Sequence, residues 1–197
     1  MKKITVWIVL SLAILLSGCA GTVKNMRELP ADAVVAPPKQ DEALVVFMRP
    51  SGLGFAVQSS VYEIVSDKPV LAGIVAAKTK VAYRTKPGTR LFMTLGENAD
   101  FMTADLQPNK TYYAYVAPRM GAWKARFVFE PKTAKDLESA EFKSDFETCK
   151  WVEVSDESLR WLSENMSSIQ SKRTEYYQDW LKQPANERSR LLANDGK

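Results

Sequence analysis

Hydrophobic and polar positions alternate along this chain in three successive regimes. Residues 4–16 form a mainly apolar run that ends in LLSGCAG at 15–21. Residues 43–130 carry short β-type runs separated by turn residues, and from Leu159 onward the apolar positions step by three and four. The three regimes predict a signal segment, a β domain and an amphipathic helix, in that order.

The β regime is the longest. Its candidate strands are ALVVFM from Ala43, SVYEIV from Ser60, VLAGIV from Val70, KVAYRT from Lys80, TRLFMTL from Thr89, FMTADL from Phe101, TYYAYV from Thr111 and KARFVFE from Lys124. Between them stand Asp67-Lys68-Pro69, Lys86-Pro87-Gly88, Gln107-Pro108-Asn109-Lys110 and Pro118-Arg119-Met120-Gly121, which are turn chemistry. Short strands at this regular spacing predict a mainly β fold, a β-sandwich over residues 43–155. Leu91, Met93 and Leu95 are expected on the core face with Met102, Ala104 and Leu106, and Phe92 with Phe101 on the opposite face as an aromatic spot. KTAKDLESAEF suggests a short helix and CKWVEV from Cys149 a further strand.

The helical regime occupies the C-terminal extension, residues 156–197. Leu159, Leu162, Met166, Ile169, Arg173, Tyr176 and Trp180 share one face, Ser155 is a candidate N-cap, and Pro184 bounds the end. A second helical piece is expected over Arg190–Ala193. The apolar residues of the face either dock on the sandwich or form a partner-binding seam, and Arg173 interrupts that seam. Lying on a membrane is a third use of the same face.

At the N-terminus, Lys2 and Lys3 precede the apolar run and Ser17 and Gly18 follow it, the three parts of a secretory signal at 1–18. A helix needs about 20 apolar residues to span the bilayer, so the run is too short for a permanent anchor. Leu16-Ser17-Gly18-Cys19 resembles the lipobox of bacterial lipoproteins, and an ordinary signal with a chance cysteine is the other reading. The resemblance implies cleavage before Cys19, lipidation of its thiol and acylation of its new amino group. Ala20 stands where the lipoprotein rule for inner-membrane retention needs aspartate, which implies the outer membrane, facing the periplasm. Residues 19–42, with Pro30, Pro37 and Pro38, are then expected to be the lipidated cysteine and a tether reaching up to about 70 Å if extended.

Charge and composition narrow the classes further. Loss of Lys2 and Lys3 with the signal leaves 25 cationic against 23 acidic residues, a net +2 in place of +4. That balance offers no basic stripe for nucleic acid. There is no histidine, which removes Ser/His and Cys/His nucleophiles. Once Cys19 carries lipid, Cys149 has no internal partner, and it is read as a packed side chain or as a reactive thiol. No metal site, no cofactor and no enzymatic activity are expected.

FMRP from Phe47, KPG from Lys86, ENADF from Glu97, NKTYYAYV from Asn109 and RMGAWKARF from Arg119 resemble a domain of unknown function found in many Gram-negative lipoproteins. The resemblance spans residues 43–131. It implies a β-sandwich of the transthyretin or carboxypeptidase-regulatory type without established catalysis.

Two site candidates stand out. Glu97, Asn98 and Asp100 occupy a turn where carboxylates could meet a cation or a basic partner, but the spacing is not that of a calcium loop, so a solvated turn or internal salt bridge is the competing reading. Arg119, Trp123, Lys124 and Arg126 combine cations with an indole around a hairpin, the chemistry of a glycan or anionic-polymer site, against a plugging tryptophan on a wet cationic face. RPSGLGF lacks the lysine and helix of a phosphate loop. The function expected is a non-catalytic outer-membrane lipoprotein, held to the membrane by its lipid and acting as a structural or interaction module for an envelope protein. A peptidoglycan- or envelope-glycan-binding module is the alternative.

Overall fold

Turn residues set where the strands start and stop. Ser66 and Asp67 take positive φ (47° and 65°) between two strands, and Lys78 and Asn109 do so (61° and 58°) immediately before two others. The computed structural model describes residues 23–120 and 125–197. Cys19, Trp123 and Lys124 lie outside the described residues, as does the signal at 1–18.

The strands are β1 (Arg27–Glu28), β2 (Ala43–Arg49), β3 (Ser59–Val65), β4 (Lys68–Val75), β5 (Thr79–Thr85), β6 (Gly88–Leu95), β7 (Ala99–Leu106), β8 (Lys110–Met120), β9 (Ala125–Lys132), β10 (Lys150–Glu153) and β11 (Ser189–Leu191). Helix α1 covers Ala140–Thr148 and helix α2 covers Asp156–Lys182. The strands form two sheets, β1-β10-β5-β2-β8-β9 and β11-β7-β6-β3-β4. The fold is a mainly β two-sheet sandwich followed by a long C-terminal helix.

Between the sheets the rings of Phe47, Phe92 and Phe129 pack together, with centroids 5.2 Å apart for Phe47 and Phe92 and 5.8 Å for Phe47 and Phe129. One edge of the sandwich closes where β4 meets β5: a Cβ on Gly73 would stand 2.7 Å from Val81 Cγ2, so only glycine permits that approach.

Each outer face carries a helix. On the first sheet, Phe142 of α1 packs 5.1 Å from Tyr113, and Met48, Leu137 and Cys149 complete a second small core. On the second sheet, Phe101 lies under Tyr177 and Trp180 of α2 at 5.1 and 5.8 Å. These contacts correct the expected facing of β6. In the antiparallel register Phe92 opposes Met102 and Met93 opposes Phe101, and opposed residues share a face. Phe92 therefore points into the sandwich and Phe101 toward α2, so the two do not form one aromatic spot. Both faces of β6 and β7 are apolar because both are covered.

Helix α2 begins with a capping box in which Ser155 Oγ accepts from Ser158 N, and it ends at Lys182, before Pro184. Ile169 and Trp180 are buried and Leu162 and Tyr176 pack against the core, whereas Leu159 is 52% exposed and leaves the seam. Ser158, Trp161 and Tyr177 sit on the inward face instead. Arg173 is tolerated there because it pairs with Asp67 and its Cζ lies 5.5 Å from the Tyr177 ring centroid. The face that could have served as a partner-binding seam thus lies against the protein's own sheet.

Two further expectations change. The helical piece expected over Arg190–Ala193 is replaced by a strand: Ser189–Leu191 pairs in parallel with Met102–Ala104, and a short 3-10 turn begins only at Ala193 and ends at Asp195. Residues 23–42 are not a free tether. Val23 and Met26 pack on the core, Arg27 and Glu28 pair with β10, and Arg84 holds the carbonyls of Ala36 and Pro37. A proline-rich, polar segment reads as extended chain, and its hydrogen bonds to the domain come from residues distant in sequence.

Candidate functional site

Side chains singled out separately in the sequence meet at the C-terminal half of α2. The turn before β7, the start of β9 and the last turns of α2 enclose an open groove of about 510 Å³. Glu97, Asp100 and Asp179 supply carboxylates to its lining, Arg126 the cation, and Tyr176 and Trp180 the aromatic surface. Excess negative charge beside aromatic rings suits a cationic or amphipathic guest.

Not every acid of the turn is free to act. Asn98 Oδ1 accepts from Phe127 N at 3.1 Å and Asp100 Oδ2 accepts from Phe129 N at 2.8 Å, while Ser189 Oγ donates to Phe129 O at 2.9 Å. Strand β9 is the end of its sheet, and these side chains occupy backbone groups that an edge strand would otherwise expose. Asn98 and Asp100 therefore join the two sheets, a role that neither a solvated turn nor a cation loop describes. Glu97 is exposed, which leaves it accessible to a ligand.

Burial pushes the Asp100 carboxyl above the usual carboxylate range, and the N–H groups of Phe129 and Phe101 offset part of the shift. A raised carboxyl contributes stability that is complete below the ordinary value and lost as pH rises through the folded value. Asp100→Asn retains an acceptor for Phe129 N–H without the charge. It should unfold at equal or higher denaturant concentration than wild type at neutral pH and lose that advantage below pH about 4. Asp100→Ala leaves the amide without its partner and should cost about 1–3 kcal/mol at any pH. Urea titrations of the three proteins at two pH values check the ordering, and a neutral-pH loss in Asp100→Asn equal to that in Asp100→Ala would sink the account.

The hairpin candidate is only partly described. Arg119 and Arg126 stand directly opposite each other in the β8–β9 register. Arg119 is engaged by Glu130 at 2.5 Å and lines a second cavity with Pro50, Ser51 and Lys132, whereas Arg126 lines the acidic groove. The two cations thus serve different concavities.

Sequence reasoning missed Arg49. Its side chain is wholly buried at the end of β2, donating to Val57 O at 2.5 Å, Leu53 O at 2.7 Å and Gly54 O at 2.8 Å, with Cζ 4.8 Å from the Phe127 ring centroid. Desolvation pulls its pKa down to about 10, so it stays protonated at neutral pH. The FMRP motif was the available signal, because an arginine closing an apolar strand is positioned to organise the loop that follows. Lys80 is likewise buried, its Nζ 3.7 Å from the Phe146 centroid and 4.8 Å from that of Trp151. Cys149 is buried beside α1, and burial pushes its thiol up to about 12, which is the chemistry of a packed side chain and not of a nucleophile.

Among the described residues no group of three or more acids or cysteines is placed to hold a metal ion, and no helix is long and apolar enough to cross a membrane. Comparison with known proteins returned no match, whether among family models, curated proteins or solved structures.

Proposed function

We propose that this protein is a non-catalytic, lipid-anchored module of the outer membrane that presents the groove between α2 and β9 to a basic segment of an envelope protein. The observation that carries the reading is the groove itself. Exposed Glu97, Asp179 with its Lys182 partner at 2.7 Å, and Arg126 line it beside the rings of Tyr176 and Trp180. A lysine- or arginine-rich segment would find carboxylates for its charges and aromatic faces for its side-chain stems.

The anchor rests on the resemblance of Leu16-Ser17-Gly18-Cys19 to a lipobox, and the outer-membrane destination on Ala20. The fold type is proposed as the transthyretin or carboxypeptidase-regulatory sandwich. The order β5-β2-β8-β9 against β4-β3-β6-β7, a Greek-key arrangement, supports that type, with β1, β10 and β11 as additions at the sheet edges. The motifs from FMRP to RMGAWKARF support membership of the Gram-negative lipoprotein group they resemble.

Photo-crosslinking from Gln183, at the groove margin, tests the partner in intact cells. A discrete protein adduct is expected, reduced several-fold by Glu97→Lys with Asp179→Lys and unaffected by charge reversal at Asp41 on the opposite end of the fold. Equal adducts in both variants would remove the groove as the site. The glycan reading has Arg119 facing Arg126 in its favour and the engagement of Arg119 by Glu130 against it. Co-sedimentation with purified sacculi, abolished by Arg126→Glu, would replace the first reading with this one.

A further inference from the structure

The loop between β2 and β3 is an apolar tip held in place by a buried cation. Leu53, Phe55 and Val57 are 50%, 64% and 37% exposed, three large apolar side chains on one short loop. The loop's backbone is largely satisfied from within. Arg49 takes the carbonyls of Leu53, Gly54 and Val57, Val57 N donates to Gly54 O, and Leu53 N donates to Ser51 Oγ. Turning the carbonyls inward presents the side chains outward. A loop with its polar groups paired internally can leave water without stranding them, the condition that an apolar phase imposes on backbone.

The path of the N-terminal segment says what lies opposite this tip. Val23 packs on the core, Ser158 Oγ donates to Asn25 O, and Asn25 lines one cavity of about 300 Å³ together with Val57 and Gln58. From Cys19 to Val23 there are four peptide steps, which reach about 14 Å at full extension. A lipid on Cys19 therefore holds this side of the domain against the bilayer. Exposed Lys24 lies on the same short segment, and Arg119 shares a cavity with Pro50 and Ser51 at the base of the loop.

We infer that the loop bearing Leu53, Phe55 and Val57 inserts into the surface of the membrane that carries the lipid anchor, fixing the orientation of the domain. The inference rests on the proposed lipidation of Cys19. It gives the protein two membrane contacts, a covalent lipid and an apolar tip, and it turns the end bearing Lys86 away from the bilayer. The Lys86 turn follows Thr85, which pairs with Ala43 at the start of β2, and the loop follows Arg49 at its other end.

Full-length lipidated protein with Phe55→Cys, Leu53→Cys or Lys86→Cys, labelled with an environment-sensitive fluorophore, tests the inference on vesicles of phosphatidylethanolamine and phosphatidylglycerol. Cys19 is consumed by lipid and Cys149 is buried, so the introduced thiol takes the label. Probes at 53 and 55 should be quenched by nitroxides on the lipid chains and shielded several-fold from aqueous iodide, with the reverse at 86. Equal iodide quenching at 55 and 86 on protein that floats with the vesicles would overturn the inference and leave the anchor intact. Shielding at 55 without nitroxide quenching, rising with protein density, would overturn it in favour of a second copy. Failure to float overturns the anchor reading and this inference with it.

Discussion

Replacement of Arg49 by alanine should lower stability by about 3–5 kcal/mol, the combined scale of losing several charge-assisted hydrogen bonds and the packing of a large buried side chain. Three carbonyls, those of Leu53, Gly54 and Val57, lose their donor together, and Phe127 loses the guanidinium packed 4.8 Å from its ring centroid. Among the described residues no carboxylate pairs with the guanidinium, and carbonyl dipoles and a ring hold the cation. Arg49→Lys should recover little, because one ammonium cannot fork to carbonyls on three residues. Denaturant midpoints measure the loss, and amide exchange at Val57 shows whether the loop is released. An Arg49→Ala midpoint within error of wild type would mean that the loop holds itself.

Trp180→Ala should cost a comparable amount, about 3–5 kcal/mol, through a cavity at the far end of α2. The Trp180 ring stacks on Tyr177 at 5.8 Å, tilts over Phe101 at 5.8 Å and carries Arg188 at 5.1 Å. The ring thus joins the helix, the outer face of β7 and the segment leading to β11. Removing it should also loosen β11, whose Arg190 pairs with Asp105 and whose Ser189 reaches Phe129 O. Thermal unfolding gives the magnitude. Susceptibility of the chain beyond Lys182 to protease gives the mechanism, and an unchanged cleavage rate would separate β11 from the helix.

The strong periods were legible. Strands from Ala43 to Glu130, the Ser155 cap and the helix stop before Pro184 follow from local chemistry, which needs no distant partner. Facing was less legible. Met93 and Phe101 read as belonging to opposite classes of face, because a single core face was assumed. With helices on both outer faces, alternation no longer distinguishes in from out. Leu159 was placed on the seam by its spacing, yet the inward turn at that level is taken by Ser158, whose hydroxyl donates to Asn25 O. That partner is far away in sequence.

The acidic groove was legible in its parts but not as a whole. Glu97, Asp100, Arg126, Tyr176 and Trp180 each attracted notice, and nothing in their spacing brings them together. Asn98 and Asp100 illustrate the limit further: an ENAD turn looks ready for solvent or a cation, and the nearby edge of β9 converts it into a clasp.

By itself the sequence determined the β-then-helix order, the caps and turns, the absence of histidine chemistry and the candidate lipid anchor, because each depends on neighbours within one turn or one strand. The tertiary structure alone decided that residues 23–28 join the fold, that α2 lies on its own sheet, that β11 is a strand and that Arg49 aims an apolar loop outward. Those outcomes depend on pairings between residues tens of positions apart. Burial and hydrogen-bond satisfaction are properties of the assembled chain.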